Sequence, residues 1–138
     1  ARRGGAGILT GGTRDDGLIA PVVLEGIAPA MRVSREEVFG PVVGIAEFTD
    51  TDEAIRLANS SPYGLQAGIF TARTDRALGW ARRLHFGGVT INETPTFRVD
   101  QQPYGGVKDS GNTREGPRYA VRSMTEDRLV VLRLPDHG

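Results

Sequence analysis

Two adjacent carboxylates, Glu36 and Glu37, precede an aromatic, Phe39, and a chain break at Gly40 and Pro41. Neighbouring side chains point in different directions in any regular backbone, so the two glutamates cannot act as an opposed general acid and base. One of them can face a ligand while the other faces solvent. A carboxylate only accepts hydrogen bonds, which suits it to the two hydroxyls of a ribose, the role an acidic residue fills in dinucleotide-binding folds. The structural alternative is a solvated pair ahead of a strand, with Phe39 in a core. Residues 93–111 form a second candidate region, with two prolines, three glycines, two aromatics and neither periodicity. A loop of that length usually carries function. Its stretch 105–111 lacks the Gly-Lys-Ser/Thr order of a triphosphate cradle and directly follows no strand. Ser110 lacks both a nucleophile elbow and a nearby base.

Composition narrows the classes. The 138 residues fit one domain able to bury about two-thirds of its unfolded surface, so a real core is expected. Seventeen basic and seventeen acidic residues cancel and are scattered, which predicts neither a nucleic-acid partner nor an anionic membrane surface. No apolar run reaches transmembrane length and no secretory signal opens the chain, so a cytoplasmic location is expected. With no cysteine, and with His85 and His137 far apart, no disulfide, thiol catalysis or metal site is expected. Asn59 and Asn92 head triplets of the glycosylation pattern, which are chance in a cytoplasmic chain. The start at Ala1, running almost at once into strand-like sequence, reads as a piece of a longer polypeptide.

The elements that must position these residues alternate. Residues 6–10 and 18–24 read as strands, the second demoted towards an edge by Pro21. Residues 42–48 read as a central parallel strand covered on both faces. Asp50, three residues before Glu53, predicts a capped helix over residues 51–59. A strand over 68–71 follows, then a helix capped by Thr74 or Asp75 with Ala77, Leu78, Ala81 and Leu84 on its apolar face, stopped by Gly87 and Gly88. Residues 89–92 give a third strand, and the alternation implies two crossovers and a parallel sheet. A helix from about residue 113 or 114 to 121 and a strand over 128–134 close the chain.

Arg35-Glu36-Glu37-Val38-Phe39-Gly40-Pro41 resembles a signature of the aldehyde dehydrogenase superfamily. Ser61-Pro62-Tyr63-Gly64-Leu65, Ala67-Gly68-Ile69-Phe70-Thr71 and Pro103-Tyr104-Gly105-Gly106-Val107-Lys108-Asp109-Ser110-Gly111 follow in that family's order, and the blocks cover nearly the whole chain. The resemblance implies an α/β fold with a largely parallel sheet and flanking helices. It implies a single domain, residues 1–138, that is the C-terminal part of an aldehyde dehydrogenase catalytic domain. The implied reaction oxidises an aldehyde to a carboxylic acid: a cysteine thiolate forms a thiohemiacetal, hydride passes to NAD or NADP, and the thioester is hydrolysed.

Residue by residue, the resemblance gives Glu37 the nicotinamide ribose and Phe39 the flank of the nicotinamide ring. Phe97 and Tyr104 become candidates for shaping the aldehyde tunnel. Arg98 between them would favour a small aldehyde bearing a carboxylate, phosphate or sulfonate, against the alternative of a surface arginine. The run 95–100 is similar to the glyceraldehyde-3-phosphate and lactaldehyde branches. Cofactor-binding domain, nucleophile and hydrolytic glutamate have no counterpart here, so no residue of this chain is assigned as catalytic and the isolated chain is expected to be inactive. Thr113 replaces a family glycine and would cost on the order of 1 kcal/mol if its backbone had to be left-handed. The family counterpart of the last strand joins a neighbouring subunit's sheet, which implies a homo-oligomer. The rival reading is a stand-alone binding or oligomerisation module that kept the fold and lost the chemistry.

Overall fold

A computed structural model describes residues 1–134. After a 3-10 turn at Arg2–Gly4, the chain forms β1 (Gly7–Thr10), a small hairpin of β2 (Arg14–Asp15) and β3 (Leu18–Ile19), then β4 (Val22–Glu25), the one-turn helix α1 (Arg32–Arg35) and β5 (Val42–Gly44). Helix α2 (Thr51–Asn59), β6 (Tyr63–Gly64), β7 (Gln66–Ile69), α3 (Thr74–Ala81), β8 (Gly88–Ile91), β9 (Val107–Lys108) and α4 (Pro117–Ser123) follow. The class is α/β, as the sequence predicts. The two parallel pairings, β4 with β5 and β7 with β8, lie in separate sheets, and the remaining pairs are antiparallel.

Local sequence decides α2 most clearly. The Asp50 carboxylate accepts from the Glu53 amide at 2.8 Å, while Glu53 accepts from the Thr49 amide and hydroxyl at 2.9 and 2.7 Å. The first of these bonds satisfies a donor that a helix start leaves orphaned. The two bonds from Thr49 hold the Glu53 carboxyl below its ordinary range, the backbone donor contributing most. Two asparagines then tie the crossovers together. The Asn59 side chain donates to the Arg83 carbonyl and accepts from the His85 amide, both at 2.8 Å. Asn92 accepts from the Thr71 amide at 2.8 Å. The residues of the glycosylation-like triplets are thus structural clips, each closing one end of the unit from α2 to β8.

Several expectations are corrected. Pro21 divides the predicted strand and does not demote it: residues 18–19 pair in the β2–β3 hairpin, while β4, starting after the proline, is central between β1 and β5 and never needs the missing donor. Conversely, β5 is an edge strand of three residues, and Val43, Ile45 and Phe48 are all exposed, since no further strand or layer among the described residues meets them. β7 begins at Gln66 rather than 68, in register with β8 from Gln66↔Gly88 to Ile69↔Ile91. Helix α3 has Arg73 at its N-cap without a side-chain cap, Asp75 being engaged by the Arg73 guanidinium, and it ends at Ala81. Its buried stripe centres on Ala77, so the adjacent Leu78 points outward. α4 starts at Pro117, because Glu115 is engaged in a backbone bridge to Tyr104. Residues 128–134 form no strand: the apolar run is exposed and no neighbouring ladder exists among the described residues.

The expected core is also smaller than predicted. Among the described residues only Ala6, Leu24, Ile55 and Ala77 are buried. A compact monomer of 14.8 kDa exposes about 7,000 Å², whereas this chain exposes 11095 Å². Its apolar faces lack a second layer.

Candidate functional site

Glu36, Glu37 and Phe39 lie on the extended segment between α1 and β5. One turn of helix is enough to separate the two carboxylates. Glu36 at the end of α1 stands four residues after Arg32, a spacing that brings side chains together on a helix. The Arg32 guanidinium donates to it from Nε at 2.8 Å, with a second nitrogen 2.7 Å from the same oxygen. That hydrogen bond is the main reason the Glu36 carboxyl titrates below its ordinary range. Glu37, one residue on, makes no side-chain hydrogen bond or ion pair among the described residues, so its acceptor oxygens remain available. Phe39 is 93% exposed, and the segment borders a hollow of about 450 Å³ that Arg32, Glu36, Glu37 and Phe39 line. Phe39 is therefore no core residue of this chain.

Phe97, Arg98 and Tyr104 lie on the long loop between β8 and β9. The loop has its own internal scaffold. Phe97 donates to the Thr94 carbonyl at 3.1 Å, Gln102 to the Val99 carbonyl at 3.0 Å, and Arg114 to the Gly106 carbonyl at 2.8 Å. Tyr104 and Glu115 exchange both backbone hydrogen bonds, at 3.2 and 2.6 Å. Arg98 is drawn into this bridge: its guanidinium donates to the Glu115 carboxylate at 2.8 Å and lies 4.3 Å from the centre of the Tyr104 ring. Two of the predicted residues are thus brought together, by a partner the sequence reading had not paired with Arg98. Opposite charges seventeen residues apart carry no periodicity that would announce such a pair.

The block 105–111 anchors the loop. Lys108, in the left-handed region at φ 55, donates to the Asn59 and Ser61 carbonyls at 3.2 and 2.8 Å at the C-terminal end of α2, with its ammonium 5.4 Å from the Phe86 ring. The Ser110 hydroxyl accepts from the Gly64 amide at 3.0 Å. Thr113 is not among the residues with left-handed backbone, so the replacement of a family glycine there strains nothing. Gly105 packs so closely on residue 113 that an added Cβ would strike the Thr113 carbonyl oxygen.

A larger cleft of about 1160 Å³ lies between the β1–β4–β5 sheet and α2, and none of the five predicted site residues lines it. Among the described residues no cluster of acidic or histidine side chains could hold a metal, and no helix is long and apolar enough to cross a membrane. His137 lies outside the described residues.

Comparison with known proteins gives this geometry a family. The profile of the aldehyde dehydrogenase family matches residues 1–130. A 3-sulfolactaldehyde dehydrogenase of Priestia aryabhattai is 48% identical over 130 residues, covering 94% of this chain and 27% of that protein. Crystal structures of two further relatives superpose closely. NADP-dependent glyceraldehyde-3-phosphate dehydrogenase from Bacillus halodurans C-125, complexed with NADP, has a TM-score of 0.92 at 44% identity, covering 98% of this chain and 28% of its own. Aldehyde dehydrogenase 21 from Physcomitrella patens, in complex with the reaction product succinate, has a TM-score of 0.91 at 43% identity, covering 96% and 28%. The chain thus spans little more than a quarter of the length of the relatives it matches. Over that quarter, from the first residue to beyond α4, it belongs to the aldehyde dehydrogenase family.

Proposed function

We propose that this chain is the C-terminal segment of the catalytic domain of an NAD- or NADP-dependent aldehyde dehydrogenase, a single structural unit that oxidises no aldehyde by itself. It contributes the cofactor-facing carboxylate and one wall of the substrate channel to an enzyme whose nucleophile lies elsewhere. The observation that carries this reading is the contrast between Glu36, fixed by Arg32, and Glu37, whose carboxylate is uncommitted beside the bare face of Phe39. An acceptor-only group next to an exposed aromatic ring fits a ribose joined to a nicotinamide. When bound, the nicotinamide supplies hydride acceptance. Glu37 accepts from the ribose hydroxyls and Phe39 limits where the ring can lie.

On the substrate side, Phe97 and Tyr104 form the apolar wall that excludes water, and Arg98 selects aldehydes carrying a second, anionic group. The names of three relatives support that class: a sulfonated aldehyde, a phosphorylated aldehyde and a dicarboxylate product are all anionic. The surface excess and the bare run at residues 129–134 support a homo-oligomer in which other polypeptide covers these faces.

Split-enzyme complementation tests the proposal. The chain alone, given an aldehyde and either cofactor, should produce no reduced nicotinamide, because without a thiolate no thioester can form. Co-expressed with the upstream part of a full-length relative, it should restore aldehyde-dependent reduction. Activity from the chain alone would contradict the proposal. Failure of a soluble, associated pair to show activity would favour a binding or oligomerisation module instead.

A further inference from the structure

Arg98 can select anions only if its guanidinium edge is held in one orientation, and three features around it do that. Tyr104 and Glu115 are locked at fixed spacing by their two reciprocal backbone hydrogen bonds. The ring of the first lies against the Arg98 guanidinium at 4.3 Å, and the carboxylate of the second takes one of its nitrogens at 2.8 Å. A surface ion pair alone would hold a flexible arginine weakly. Here the ring and the carboxylate are mounted on one bridge, so the planar group meets a face and an edge whose relative position is already set. An arginine carries five N–H donors. Only one donates to a protein acceptor among the described residues. The bridge is closely packed on both sides: a Cβ added at Gly116, at φ 109, would meet the Gln102 carbonyl, and one added at Gly105 the Thr113 carbonyl.

We infer that Glu115 is a positioning residue for substrate selection: with Tyr104 as platform, it orients Arg98 so that the remaining N–H groups meet the distal carboxylate, phosphate or sulfonate of the aldehyde. This rests on the reading of Arg98 as an anion-selecting residue, and it adds a residue that touches no substrate. The pair carries no net charge. Selection therefore comes from directed hydrogen bonds at contact and not from long-range attraction.

The test uses a full-length aldehyde dehydrogenase containing this segment, with an anionic aldehyde and a neutral one of similar length. Glu115→Gln keeps the volume and removes the charge. It should raise KM for the anionic aldehyde on the order of tenfold, leave kcat within about twofold, and leave the neutral aldehyde unaffected. Glu115→Asp, which keeps the carboxylate, should recover part of the loss. Glu115→Ala serves as the second variant, and its activity on the neutral aldehyde shows whether the fold is intact. If Arg98→Ala raises the anionic KM while Glu115→Gln and Glu115→Ala do not, the positioning role is overturned and the reading of Arg98 stands. If Arg98→Ala affects both aldehydes alike, that reading fails and the positioning role with it. If Glu115→Gln raises KM equally for both substrates, the pair merely holds the loop, and the inference is overturned.

Discussion

The loop between β8 and α4 and the segment between α1 and β5 carry the two halves of the proposed site, and they are held in opposite ways. The loop is pinned from within this chain: a backbone bridge joins Tyr104 to Glu115, Lys108 reaches the end of α2, and Ser110 takes the Gly64 amide. The segment has one side-chain tether among the described residues, Arg32 to Glu36, and leaves Phe39 almost wholly exposed. A substrate wall can be rigid before anything binds. A cofactor surface that carries bare apolar and acceptor groups needs its ligand, or more polypeptide, to define it. The same division runs through the molecule, since the unit from α2 to β8 is clipped by Asn59 and Asn92 while residues 129–134 are exposed and pair with no strand among the described residues.

The sharpest way to break this comparison is to ask whether the untethered parts stay bare. Leu129, Val130, Val131 and Leu132 expose three-quarters or more of their surface in one continuous apolar run, which favours association through backbone pairing. Light scattering at micromolar concentration should show a dimer or larger species. Val131→Pro, which removes a ladder donor, should weaken it. A compact monomer indifferent to the substitution would mean that the chain covers its own faces.

A smaller effect probes the tethered half. Gly105→Ala drives a methyl group into the Thr113 carbonyl, an overpacking against backbone that costs about 1–3 kcal/mol. Amide exchange at Tyr104 and Glu115 should accelerate, whereas exchange in residues 36–39 should not change. Equal acceleration in both regions would mean that they are not independent.

The smallest effect concerns α2, on which the Lys108 anchor rests. Asp50→Ala removes its cap and should cost about 1 kcal/mol. Glu53 adds a pH dependence whose sign follows from its lowered carboxyl. The stabilisation is present above the group's unfolded value and is lost as pH falls through the lower folded value. Helicity followed by circular dichroism should decline on acidification, and Glu53→Gln should flatten that decline.

What the sequence disclosed follows from how far each cause reaches. The bounds of α2 were legible because Asp50, Glu53 and the apolar spacing act within one turn. The family blocks disclosed the site residues as candidates, since each motif is contiguous. Arg98 with Glu115, and Asn59 with Arg83 and His85, were not legible, because nothing local specifies a partner seventeen or more residues away. Residues 42–48 and 128–134 show the converse. Their β-branched and leucine-rich composition predicts strands, but a strand needs a neighbour, and the described residues give β5 one partner and residues 128–134 none. The four-residue core escaped prediction for the same reason, since composition states what could be buried and not what is present to bury it.

The central claim is that Glu37, and not Glu36, serves the cofactor. It is tested most directly by Glu37→Gln and Glu36→Gln in a full-length enzyme containing this segment, with cofactor affinity and the hydride-transfer rate measured for each. Loss of a charged hydrogen bond costs about 1.5–3 kcal/mol, so Glu37→Gln should weaken cofactor binding or slow hydride transfer by about tenfold or more. Glu36→Gln, which only releases Arg32, should stay close to the parent. Equal behaviour of the two variants and the parent would assign both glutamates to the surface and contradict the account.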